Sequence, residues 1–82
     1  MMIDPDEDEA VTLANALGVA QRRVILSLSP EWGEASDHRT AKRMVHGVRD
    51  AKGMIEHQKK MENSWRLTGI GQRVRAVLDA AF

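Results

Sequence analysis

Arg39, Lys42, Arg43 and His46 recur at spacings of three and four residues, which puts them on one side of any helix that carries them. A row of long cations on an exposed helix reaches phosphate oxygens and, inside a major groove, the edges of bases. Arginine can grip a guanine with two parallel hydrogen bonds, whereas lysine acts more as a point charge on phosphate. Lys59 and Lys60 form a second basic pair further along the chain. These residues are suited to recognising a polyanion, a task that makes and breaks no covalent bond. Asp50 falls on the same helical face as Arg39, Arg43 and His46. Its charge opposes contact along the full length, so the N-terminal half is the better candidate surface.

Other chemistry finds less support. His38, His46 and His57 lack metal-ligand spacing, and His46 with Asp50 at i, i+4 reads as a surface pair. Ser27, Ser29, Ser36 and Ser64 sit where helix and capping roles already account for them. No serine is placed with a base and an orienting group as a nucleophile requires. Gly69-Ile70-Gly71 lacks the spacing and the lysine of a phosphate-binding loop. No enzyme and no cofactor are expected. With no cysteine in the chain, disulfides and thiolate metal sites are excluded.

The elements that must position the basic residues can be read in order. Asp4-Pro5-Asp6-Glu7 opens a first helix, with Asp4 as cap, Pro5 in the first turn and Glu7 placed for a capping box. Ala10, Leu13, Ala14 and Leu17 form its apolar stripe, and Gly18 is a stop signal. A second helix from about Ala20 turns Val24, Ile25 and Leu28 inward and Gln21, Arg22 and Arg23 outward. Ser29-Pro30-Glu31 predicts a further, stunted helix limited by Gly33, with Trp32 folded onto the core as a lid. Ser36 is the expected cap of a helix from Asp37 to Lys52, whose Ala41, Met44, Val45 and Val48 face inward. Gly47, in its middle, costs about 1 kcal/mol relative to alanine. Gly53 ends it. Strands over Met54 to Gln58 and Ser64 to Thr68 enclose a turn at Lys59 to Asn63, with Ile55, Trp65 and Leu67 buried. Thr68 caps a last helix that turns Val74, Val77, Leu78 and Ala81 inward. Met44 and Met54 read as core and Met61 as a turn residue.

Composition fits one small domain. The 82 residues are 43% hydrophobic and 29% charged, ordinary for a globular chain. Trp32, Trp65 and Phe82 are the only aromatics, so the core is aliphatic, which favours helices or a subunit that gains buried surface by dimerising. No apolar run approaches the ~18 residues of a membrane span, and a cytoplasmic location is the default expectation. The neutral total hides an asymmetry. Residues 1 to 9 hold five acids and no base, while residues 39 to 75 hold ten bases against three acids. Such polarity marks a nucleic-acid face, or else acidic and basic surfaces that meet within one molecule or across a dimer.

Three stretches carry a resemblance to MarR-type regulators within the winged helix-turn-helix superfamily. Gln21-Arg22-Arg23-Val24-Ile25-Leu26 resembles the family's first core helix. Arg39 to Lys52 with Gly53-Met54-Ile55 resembles its recognition helix and the entry to the wing. Leu67-Thr68-Gly69-Ile70-Gly71 is similar to the Leu-Thr-x-x-Gly run that leaves the wing. The likeness covers residues 20 to 78. It implies a mainly α fold with a small β-hairpin, about four helices plus a wing, in a single domain over residues 1–82. The helix within residues 1–18 would be a dimerisation arm. It implies that Arg39, Lys42, Arg43 and His46 face the major groove of double-stranded DNA and that Lys59 and Lys60 touch its backbone. Pro5 to Leu17 and Ile70 to Phe82 would build a homodimer of a transcriptional or phage-type regulator. One departure stands out: between Leu28 and Arg39 there is no room for the full helix that the family places before its recognition helix. The alternative is therefore a winged-helix protein-interaction module that binds no nucleic acid.

Overall fold

The computed structural model describes residues 5–46 and 53–81. Among the described residues four helices and one hairpin follow in the order α1 (Pro5–Ala16), α2 (Val19–Ser27), α3 (His38–His46), β1 (Ile55–His57), β2 (Trp65–Leu67) and α4 (Gly69–Ala81). The chain is thus mainly helical with a small antiparallel sheet, as its periodicity predicts. Asp4 and residues 47–52, including Gly47, Val48, Asp50 and Lys52, lie outside the described residues, as does Phe82. So does the side chain of Glu7, and with it the expected capping box.

Ala10, Ala14 and Leu17 are buried, with Leu13 half-buried beside them, and α1 packs on α4. Two alanines in this stripe leave little side chain between the axes, which permits close helix packing. Gly18 is extended (φ −75°, ψ 170°) rather than left-handed, and it caps the start of α2. Its N–H donates to Gln21 Oε1 at 2.9 Å. Val24, Ile25 and Leu28 go to the centre of the core, as predicted.

The stunted helix predicted at Ser29-Pro30 does not form. The Ser29 hydroxyl accepts from Glu31 N–H (3.1 Å) and donates to Glu31 C=O (3.3 Å), a local bonding pattern that competes with helix. The chain then runs alongside β2. Leu67 N–H donates to Ser29 C=O (2.8 Å), and Gly33 and Trp65 exchange both backbone bonds at 2.9 and 2.8 Å. The pairing satisfies the outer edge of β2, whose buried polar groups would otherwise be stranded.

Asn63 fastens this strip to the hairpin. Its Oδ1 accepts from Trp65 Nε1 (2.8 Å) and from Ala35 N–H (3.1 Å), and its Nδ2 donates to Ala35 C=O (3.4 Å). The Trp65 ring is fully buried, so its N–H has no recourse to water. Asn63→Ala is expected to cost about 2–3 kcal/mol, because it strands that donor and the Ala35 amide. A urea melt checks this, and a loss below about 0.5 kcal/mol, the range of neutral surface changes, would contradict it.

Three predicted boundaries move. Asp37, not Ser36, caps α3, for Ala41 N–H bonds Asp37 C=O and Thr40 N–H bonds Asp37 Oδ1. The strands are shorter than expected, three residues each, with Ile55 opposite Leu67, Glu56 opposite Arg66 and His57 opposite Trp65. α2 begins at Val19. Ile55, Trp65 and Leu67 do share the buried face, and Met44 and Met54 are core. Thr68 caps α4 as predicted, accepting from Gly71 N–H at 3.2 Å. Its hydroxyl also donates to Gly53 C=O, and Gly53 has φ 92°, a left-handed value that glycine adopts without penalty. Val74 and Leu78 are buried and Val77 half-buried. Arg75 Nη1 donates to Leu28 C=O at 2.6 Å, satisfying a carbonyl at the end of α2.

Candidate nucleic-acid interface

The basic face of α3 is set by what its other face buries. Ala41 and Met44 are 0% and 1% exposed, and the helix packs on α2 and β1. At 100° per residue, Arg39, Lys42, Arg43 and His46 are then turned away from the core, and all four are exposed. Among the described residues none of these side chains has a hydrogen bond or ion pair. Long cations without partners keep their donors available for phosphate oxygens. Arg49, Asp50 and Lys52 lie outside the described residues, so the described ridge is the N-terminal half that the sequence favours.

One carboxylate stands at the start of this ridge. The Thr40 hydroxyl donates to Asp37 Oδ2 at 2.7 Å. That bond, with the Thr40 amide, holds the Asp37 carboxyl below its ordinary value of 3.8. Because the folded value is depressed, the cap is in place at neutral pH and is lost as pH falls through the folded value.

The hairpin carries the second basic pair. Gln58 N–H donates to Ser64 C=O (2.9 Å), and Met61 N–H closes a turn onto Gln58 C=O (3.3 Å). Below the turn, Ser64 Oγ donates to Gln58 Oε1 at 2.6 Å. The His57 ring lies stacked on Trp65 with centroids 4.1 Å apart, and its Nε2 meets Met61 C=O. Lys59 and Lys60 are exposed at the tip, and Met61 is exposed beside them. Lys60 is the one non-glycine residue with positive φ (68°) among the described residues. It occupies the third turn position, where a type II turn demands that sign. Lys60→Gly is therefore expected to stabilise the hairpin by up to about 1 kcal/mol while deleting a tip charge. Thermal melts check the sign, and a clear loss of stability would contradict the turn assignment.

Trp32 departs from the prediction. It does not cover the core as a lid but is 40% exposed, with the Arg66 guanidinium 4.3 Å from its ring centroid. Arg66 is held in turn by Glu56 across the strands, at 3.0 Å. No local signal announces this cluster, since Trp32 and Arg66 meet only because residues 29–33 run along β2.

The chain was compared with models of protein families, with curated proteins and with solved structures. It matches none of them.

Among the described residues no three His, Cys, Asp or Glu side chains are grouped to hold a metal ion, and no helix is long and apolar enough to cross a membrane. The six basic residues fall on two elements that share a core, since α3 packs against β1, the strand that leads into the Lys59-Lys60 turn.

Proposed function

We propose that this protein binds double-stranded DNA as a small winged-helix regulator, presenting α3 to the major groove and the Lys59-Lys60 tip to the backbone. The observation that carries the reading is the ridge of Arg39, Lys42, Arg43 and His46, all exposed opposite a buried Ala41-Met44 stripe. Phosphate contacts supply the affinity and arginine contacts to base edges supply the preference. The helix that a complete winged helix places before its reader is replaced here by the strip paired to β2. α3 is supported instead by α2 and β1.

The test is a titration of fluorescent duplex DNA at several salt concentrations, with the wild type and with Arg39→Glu/Arg43→Glu. Binding that weakens steeply with salt and is abolished by the double change supports the proposal. Failure to bind at low salt refutes it. In that case the exposed Trp32-Arg66-Glu56 cluster favours the second reading, a protein-interaction module, because tryptophan and arginine are the side chains that anchor such contacts.

A further inference from the structure

The small sheet has two faces, and only one of them is core. Gly33 pairs with the fully buried Trp65, and Ala35, two residues on, is buried as well. Alternation then sends Trp32 and Glu34 to the opposite, outer face. Glu56 and Arg66 stand opposite each other across β1 and β2. Their neighbours Ile55, Trp65 and Leu67 are buried, so the same alternation turns this pair outward. The outer face thus carries Trp32, Arg66 and Glu56 in one row across three chain segments. The row is braced from within. Arg66 Nη2 reaches Glu56 Oε2 at 3.0 Å, and the guanidinium carbon lies 4.3 Å from the Trp32 ring centroid. The indole is held in place and is still 40% exposed. A tryptophan fixed on the surface in this way is suited to anchor a contact with another protein.

The charge around the indole decides what it can anchor. Glu31, Glu34 and Glu56 are all exposed, and the Arg66 guanidinium that stands with them is already paired to Glu56. The side chains of Glu31 and Glu34 make no hydrogen bond or ion pair among the described residues. The patch is therefore negative, which opposes a phosphate backbone. It suits a cation, because an ammonium or guanidinium is drawn both to carboxylates and to the π-face of an indole. We infer that this outer face binds a lysine- or arginine-rich segment of another protein, with Trp32 as the anchor and Glu31 and Glu34 as ion-pair partners. The surface shares no residue with the ridge of Arg39, Lys42, Arg43 and His46 and carries the opposite sign. Binding here gives the Trp32-Arg66-Glu56 cluster a partner chemistry whether or not α3 meets DNA.

The probe is a short dye-labelled peptide of alternating arginine and serine, titrated with the full chain at low and high salt. Fluorescence anisotropy reads affinity, and the NMR signals of the two indole N–H groups read place. The expected result is saturable binding that weakens with salt and shifts the Trp32 signal. The Trp65 signal, bonded to Asn63, should stay put. Trp32→Ala should weaken binding at least about tenfold, and Glu34→Lys at least about threefold. Glu34 is exposed and has no partner to lose, so that variant keeps its fold, as a thermal melt would show. Asp6→Asn/Asp8→Asn, within the acidic run of residues 1 to 9, should leave affinity unchanged. Arg39→Glu/Arg43→Glu should not weaken peptide binding, and Trp32→Ala should not weaken binding of duplex DNA, so failure of one activity leaves the other standing. No peptide binding at low salt overturns the inference. Binding that Trp32→Ala and Glu34→Lys leave unchanged does so too, for it would describe diffuse attraction to acids elsewhere. So would an oligothymidine that shifts the Trp32 signal and binds more tightly than the peptide, which would make the indole a platform for unpaired bases.

Discussion

Gly71→Ala is expected to remove most or all of the stability of this domain. A Cβ at position 71 would stand 1.9 Å from the Met54 carbonyl oxygen and 2.9 Å from its carbon, with Leu67 Cδ2 at 3.4 Å. The first two are backbone atoms, and neither side can withdraw easily. Met54 C=O accepts from Thr68 N–H at 3.0 Å, and the Thr68 hydroxyl holds Gly53 C=O and Gly71 N–H in the same knot. The Met54 side chain is itself fully buried. Overpacking a core with side-chain atoms costs about 1–3 kcal/mol, and a clash with fixed backbone belongs above that range. Against a total stability of about 5–15 kcal/mol, at the low end for a chain this short, the folded population collapses. For a domain of this size each kcal/mol lowers Tm by about 4–8 °C.

Gly69, two residues earlier, supplies the control. A Cβ there meets nothing within 4 Å and the residue has no positive φ, so Gly69→Ala is expected to be neutral or to stabilise by up to about 1 kcal/mol. Urea melts followed by far-UV circular dichroism read both variants. A Gly71→Ala protein as stable as wild type would show that α4 does not approach Met54 in this way.

That pair of glycines also shows what the sequence could disclose. The Leu67-Thr68-Gly69-Ile70-Gly71 run was legible as strand end, cap and helix start, and Thr68 fills that role. Which glycine matters was not legible, because the constraint on Gly71 comes from a backbone segment many residues away in the chain. The same division holds elsewhere. Helix stripes such as Val24-Ile25-Leu28 and Ala41-Met44 follow from period alone, and so does the burial of Ile55, Trp65 and Leu67 by alternation. The segment from Ser29 to Gly33 is not helical, although Ser29-Pro30-Glu31 is a good local helix signal. The free edge of β2 then competed for its backbone groups and won, a tertiary effect invisible to a local rule. Trp32 followed it outward. At the candidate site, the basic face of α3 was legible because a buried stripe fixes its opposite.

Arg39→Glu/Arg43→Glu is expected to lower affinity for duplex DNA by at least about a hundredfold while leaving the fold unchanged. Both residues are exposed, and neither side chain makes a hydrogen bond or ion pair among the described residues. Surface changes of that kind shift stability by about 0.5 kcal/mol or less. The buried stripe of Ala41 and Met44 is untouched, so melts of the variant should overlay the wild type. On DNA the situation differs. If the six basic residues neutralise up to about six phosphates, the logarithm of the binding constant falls against that of salt with a slope near −5. Removing two contacts flattens that slope by about two, and each introduced carboxylate adds repulsion to what the lost cation gave. The loss should be largest at low salt, where screening is weakest. Lys60→Gly, in the same titration, should reduce the slope by about one with a far smaller loss. Equal effects from the helix pair and the tip residue would describe a diffuse cationic surface rather than a reader helix. Unchanged binding in Arg39→Glu/Arg43→Glu would mean that α3 is not the face that meets DNA.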